Sequence, residues 1–156
     1  DRASVAGIDT VLVEPRAFAS KETYDAALID VLQRYDVGLV CLAGFMRLLG
    51  ASVVEAFPNR ILNIHPSLLP AFPGLHGQRQ ALRHGAKITG ATVHIVTSDL
   101  DAGPIVLQAP VSVEESDTTD TLSERILLEE HRIYPEAIGI LLDGRWRIEG
   151  RRFLRS

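Results

Sequence analysis

One cysteine, Cys41, occurs in 156 residues, so no internal disulfide can form. That usage suits a reducing compartment, and a cytoplasmic location is expected. The formal net charge is −4, which leaves no overall basic field to gather nucleic acid. No apolar run approaches the length needed to cross a bilayer, so no membrane association is expected. His-Glu-x-x-His and Cys-x-x-Cys are both missing, and the five histidines fall at no zinc-ligand spacing, so no metal is expected. There is no Gly-x-Gly-x-x-Gly and no Walker A segment, so the strand–helix pattern does not point to a dehydrogenase. Ser67 lies between two prolines without a surrounding Gly-x-Ser-x-Gly, which leaves a serine nucleophile unsupported. What is present is ordinary: 46% hydrophobic and 23% charged residues, in a length that favours one domain with a real core.

Apolar periodicity outlines alternating strands and helices. Thr10-Val11-Leu12-Val13 reads as a short strand. Ser20 is placed to cap a helix with Glu22 in its first turn, and Tyr24, Ala27, Leu28, Val31, Leu32 and Tyr35 form its apolar face. Residues 37–43 are continuously apolar, which predicts a strand covered on both faces and ended by Gly44. A short helix over 53–57 stops at Pro58, and a strand over 60–65 follows. A Pro- and Gly-rich loop runs to Gly74, then a helix over 78–84 closes at Gly85. Strands are expected over 91–97 and 104–113, the second bent or at an edge because of Pro110.

A long helical pattern covers 118–142. Thr121 and Glu124 have capping-box spacing there, with a start one turn earlier left open, and Pro135 should kink or break it. Residues 145–154 predict a small hairpin around Glu149-Gly150. Arg145, Arg147, Arg151, Arg152 and Arg155 would make it a basic, solvated edge. The alternation predicts an α/β fold with a mostly parallel sheet flanked by helices. Ligands of such sheets sit beyond the carboxyl ends of the strands, and segments 44–49, 65–74 and 98–104 all follow strand ends.

The stretch Leu62-Asn63-Ile64-His65-Pro66-Ser67-Leu68-Leu69-Pro70 is the most informative. Asn63 and His65 are two apart, so on a strand they project to one face. An amide donor beside an imidazole suits stabilisation and protonation of a carbonyl oxygen. A lone histidine near an apolar strand is more often a satisfied core group, but this one ends its strand at a proline. In Ser98-Asp99-Leu100-Asp101-Ala102-Gly103-Pro104 the bland reading is a turn. The functional reading is a carboxylate, Asp99 or Asp101, that favours the charged imidazole. His84 reads as a helix C-terminal residue, His94 as structural within a strand, and His76 as a loop residue in reach of substrate.

Asn-Ile-His-Pro-Ser-Leu-Leu-Pro followed by Ala71-Phe72-Pro73-Gly74-Leu75-His76 resembles the active-site signature of the glycinamide ribonucleotide (GAR) formyltransferases, a branch of the folate-dependent formyltransferases. Met46-Arg47-Leu48-Leu49, Asp101-Ala102-Gly103-Pro104 and Glu130-His131-Arg132-Ile133-Tyr134-Pro135 fit the same family in order and spacing, from about residue 7 to residue 144. The resemblance implies a Rossmann-like fold and formyl transfer from 10-formyltetrahydrofolate to the amine of GAR in purine synthesis. It implies catalytic roles for Asn63, His65 and Asp101, choosing Asp101 over Asp99. Met46, Arg47, Leu48 and Leu49 would contact the folate pterin, Asn63 and a basic residue at Lys21 would lie near the folate, and Glu130 would bind the ribose.

Partners would be the two small-molecule substrates, for a monomer or homodimer. The family often carries a second histidine just after the position of His76, where this chain has Gly77-Gln78. By the same resemblance, residues 1–156 form a single, N-terminally incomplete domain. Its earlier strands and phosphate loop are expected to precede Asp1 and to fit between the strand at Thr10 and the strand over 37–43.

Overall fold

The computed structural model describes residues 2–156, and local chemistry accounts for most of its helix boundaries. A single turn, α1 (Arg2–Val5), precedes an extended segment. The strand expected at residues 10–13 does not form: Val11 is 49% and Leu12 is 89% exposed. A strand persists only where its N–H and C=O groups find a ladder, and no described residue pairs with this segment.

Helix α2 (Lys21–Arg34) starts at Ser20 as expected. Ser20 Oγ accepts from the Thr23 N–H and Thr23 Oγ1 accepts from the Ser20 N–H, so a capping box closes over the first turn. Strand β1 (Val40–Leu42) is shorter than the apolar run 37–43, and Cys41 is exposed rather than covered. The reason is position: β1 is the outermost strand on its side of the sheet. Then follow α3 (Ala51–Ala56), β2 (Ile61–His65), α4 (Gly77–Arg83), β3 (Ile88–Ile95) and β4 (Ile105–Ser112).

Helix α5 (Thr119–Asp143) takes the earlier of its two possible starts. Its cap is Thr118, one turn before Thr121, and Thr121 completes the capping box in place of Glu124. Pro135 lies inside the helix without breaking it. Ile126, Ile133, Ala137 and Leu141 are buried on either side of the proline. A break would take that continuous apolar stripe off the sheet, at a cost above the one lost hydrogen bond. Strands β5 (Trp146–Glu149) and β6 (Arg152–Arg155) form the expected hairpin, turned by Gly150 at φ +60°. Trp146 and Phe153 stack within it at 5.3 Å.

Among the described residues the strands form one sheet in the order β1-β2-β3-β4-β6-β5. β1, β2, β4 and β6 share a direction, while β3 and β5 oppose it, so the sheet is mixed but mostly parallel. Hairpin and β4 pair only at Ile105 and Arg152, so Pro110, opposite Gly90 of β3, has no strand on its other side. Helix α5 covers one face, packing on Leu62, Ala91, Val93, Ile95 and Val106. α2 and α3 cover part of the other, around Val53, Phe57 and Ile61. Asn63, His65, Thr92 and His94 share the parity of that second face, beyond the reach of α3. No helix among the described residues is long and apolar enough to cross a membrane.

Candidate active site

A cleft of about 610 Å³ opens over β1, β2 and β3 on the second face. That size fits a small-molecule site. Three loops surround it: 43–50 after β1, 66–76 after β2, and 96–104 after β3. The first two follow carboxyl strand ends, as the sheet rule requires. The third also follows a carboxyl end, but β3 runs antiparallel to β2, so that end lies at the opposite edge of the sheet, beside the start of β2. Loop 96–104 reaches the site by folding over the sheet face, where loop 66–76 meets it. Its return is tight: a Cβ on Gly103 would lie 1.7 Å from the Ile95 carbonyl oxygen, so only glycine fits. Asp101 takes the left-handed conformation at φ +48°.

The structure brings Asn63, His65 and Asp101 together. His65 is 5% exposed, and its Nδ1 lies 3.4 Å from Asp101 Oδ2. Its Nε2–H donates to the Phe72 carbonyl at 2.9 Å. Both ring nitrogens thus face acceptors, an arrangement satisfied in full only by the doubly protonated ring. Asp101 also accepts from the Gly74 N–H at 2.7 Å. His94 beside it, the Gly74 N–H and the His65 ring hold the Asp101 carboxyl below the usual carboxylate range, against the opposing effect of burial. Asp99 lines the same cleft but makes no contact with His65.

His94, read from the sequence as structural, is buried beside this cluster. It stands directly opposite Asn63 in the β2–β3 register, 2% exposed, with Nε2 at 3.6 Å from Asp101 Oδ1. Its Nδ1–H donates to the Ile95 carbonyl at 3.1 Å, and its Nε2 lies 3.3 Å from Asn63 Nδ2. That contact holds the Asn63 amide beside the cluster. The available signal was parity. His94 alternates with Val93 and Ile95, so it had to face away from their core.

Met46, Arg47, Leu48 and Leu49 line the cleft, after a turn made by Gly44 at φ +66°. Arg47 lies over the Tyr24 ring at 5.5 Å. Met46, Leu48, Leu75 and Leu100 are each more than half exposed along the rim. His76 also lines it, as the N-cap of α4.

Lys21 and Glu130 do not line this cleft. Lys21 pairs with buried Asp25 at 2.8 Å, directly under the loop: a Cβ on Gly50 would lie 2.0 Å from Asp25 Oδ2. Among the described residues its ammonium is the one hydrogen-bond partner of that carboxylate. Glu130 lies on α5, across the sheet from His65, and does not line the cleft. Burial pushes its carboxyl pKa up, against the pull of His131. Among the described residues no cluster of His, Cys, Asp and Glu is placed to hold a metal ion.

A family model described as formyl transferase matches residues 1–138. Phosphoribosylglycinamide formyltransferase of Escherichia coli (strain K12) is 47% identical over 148 residues, covering 95% of this chain and 70% of that protein. The chain belongs to the phosphoribosylglycinamide formyltransferase family. Among its solved members, glycinamide ribonucleotide transformylase 1 from Symbiobacterium toebii superposes with a TM-score of 0.97 at 60% identity, over 99% of this chain and 73% of that one. The family also includes the Bos taurus trifunctional purine biosynthetic protein adenosine-3, 43% identical over 95% of this chain, which spans only 15% of that longer protein.

Proposed function

We propose that this chain carries a formyl-transfer site, which moves the formyl group of 10-formyltetrahydrofolate to the primary amine of GAR. The observation that carries the reading is the Asn63, His65 and Asp101 cluster, in which buried His65 faces an acceptor on each ring nitrogen. The amine attacks the formyl carbon, a C–N bond forms, and the carbonyl oxygen becomes an oxyanion. Asn63 donates an Nδ2–H to that oxygen. His65 stabilises the oxyanion by its charge and gives a proton to the folate nitrogen as the old C–N bond breaks. The proton lost by the attacking amine balances the step. Asp101 keeps the ring charged and oriented. No covalent enzyme intermediate is required, and holding two substrates together supplies much of the rate.

The exposed apolar rim at Met46, Leu48, Leu75 and Leu100 supports a flat heterocycle as the donor. Backbone groups of residues 46–49 would meet its polar edge. Lys21 and Glu130 stand outside this set.

The test is the acceptor. Loss of 10-formyltetrahydrofolate is followed by absorbance for the protein at native length, with GAR and with water alone. GAR-dependent turnover supports the transferase. Equal loss without GAR points to a hydrolase, and no loss in either case to a folate-binding protein without turnover.

A further inference from the structure

Beyond the catalytic cluster, the best-connected polar group lies where loop 66–76 crosses the sheet. Thr92 is fully buried and stands directly opposite His65 in the β2–β3 register. Its Oγ1 donates to the Ser67 carbonyl at 2.7 Å and accepts from the Leu69 N–H at 3.0 Å. Gln108, exposed on β4, donates to that same oxygen at 2.9 Å and to the Leu69 carbonyl at 2.9 Å. Ser67 is fully buried too. Its hydroxyl donates to the Ala71 carbonyl at 2.5 Å and lies 3.3 Å from the Phe72 carbonyl. The Phe72 carbonyl is the acceptor for His65 Nε2–H. A continuous series of hydrogen bonds and peptide units therefore links a surface glutamine to the imidazole.

We propose that Gln108 and Thr92 are positioning residues for His65, acting through Ser67 and the carbonyl of Phe72. Residues 66–76 form no strand ladder, so side-chain bonds set where the Phe72 carbonyl points: those of Thr92 and Gln108 before it, and those of Asp101 and Gln80 to Gly74, Pro73 and Leu75 after it. Hydrogen bonds to the charged form of a ring favour that form, and bonds to a cation are the stronger kind. Loosening the loop withdraws one of the two acceptors that His65 faces. Asp101 faces it from loop 96–104, with His94 of β3 behind. Asp99, His76 and Arg47 line the same cleft. None of these touches Gln108, so a change there reaches His65 through the loop.

The importance of His65 to turnover rests on the formyl-transfer reading, but the readout does not. The histidines of the native-length protein are isotope-labelled, and the His65 ring is titrated by NMR in the wild type and in Gln108→Met, which keeps the side-chain volume and loses both donors. The His65 protonation constant should fall about threefold or more. kcat should fall roughly tenfold, with KM for the formyl donor nearly unchanged. Thr92→Val should follow Gln108→Met, and Thr92→Ser, which keeps the hydroxyl, should stay near wild type. An unshifted His65 titration in folded Gln108→Met overturns the proposal, whatever the turnover. If that variant fails to fold, the contrast between Thr92→Val and Thr92→Ser decides in the same way. A shifted titration in a protein without formyl transfer supports the positioning role and sinks the functional reading instead.

Discussion

Asp101→Asn separates charge from architecture. Asparagine keeps an oxygen to accept the Gly74 N–H that Asp101 now takes at 2.7 Å, so loop 66–76 keeps its anchor. The negative charge beside His65 is removed. The two side chains are 6% and 9% exposed and 3.4 Å apart, and an effective dielectric of about 20 puts their attraction on the order of 5 kcal/mol. Desolvation of both groups cancels roughly half of that. If the remaining 2–3 kcal/mol or so is felt at the transition state, turnover falls about 10²-fold. His65→Ala should cost a similar factor or more, and the double variant should be little worse than His65→Ala alone, because the two groups act as a unit. The assay is GAR-dependent loss of 10-formyltetrahydrofolate, with KM and kcat separated. Near-normal kcat in both single variants would refute the mechanism. Additive losses in the double variant would refute the coupling.

Three further outcomes are expected. Gly103→Ala pushes a methyl group into the Ile95 carbonyl and should cost at least about 2 kcal/mol, read from the urea midpoint. Lys21→Met leaves Asp25, 3% exposed, without the ammonium it pairs with. It should destabilise by about 1–3 kcal/mol, against the few tenths usual for a surface lysine, and an unchanged midpoint would show that the pair is idle. The Asp101 carboxyl pKa is lowered in the folded protein, so its contribution to stability is present above the unfolded value of about 4 and is lost as pH falls through the lowered folded value. The wild-type urea midpoint should therefore lose ground to Asp101→Asn only below about pH 4; a constant difference down to pH 2 would show that the shift is not realised.

Much of the architecture was legible in the chain because it is local. Ser20 caps α2, Gly85 ends α4 and Gly150 turns the hairpin, each through chemistry confined to a few neighbouring residues. Apolar period separated strands from helices, and the two-residue spacing of Asn63 and His65 placed both on one face. Capping was the weakest local reading. Thr118 and Thr121 offered acceptors in the same spacing as Thr121 and Glu124, and the structure uses the earlier pair.

Period does not carry direction or partnership. The same alternation serves a parallel or an antiparallel neighbour, so the reversal of β3 had no signature in residues 88–95. With it went the route by which Asp101 reaches His65. Residues 10–13 have the composition of a strand, but a strand is made by the ladder beside it, and none pairs there among the described residues. His94 and Gln108 show the same limit at the site. Each is an unremarkable strand residue by sequence, and each acquires its role from a side chain on another segment: Asn63, 31 positions before His94, and the backbone of Leu69, 39 before Gln108. The sequence by itself determined which residues hold the chemistry and which face of a strand they occupy, because those follow from side-chain type and backbone period. The tertiary structure alone decided which of them meet, because hydrogen bonds a few ångströms long are set by the register and direction of strands distant in the chain.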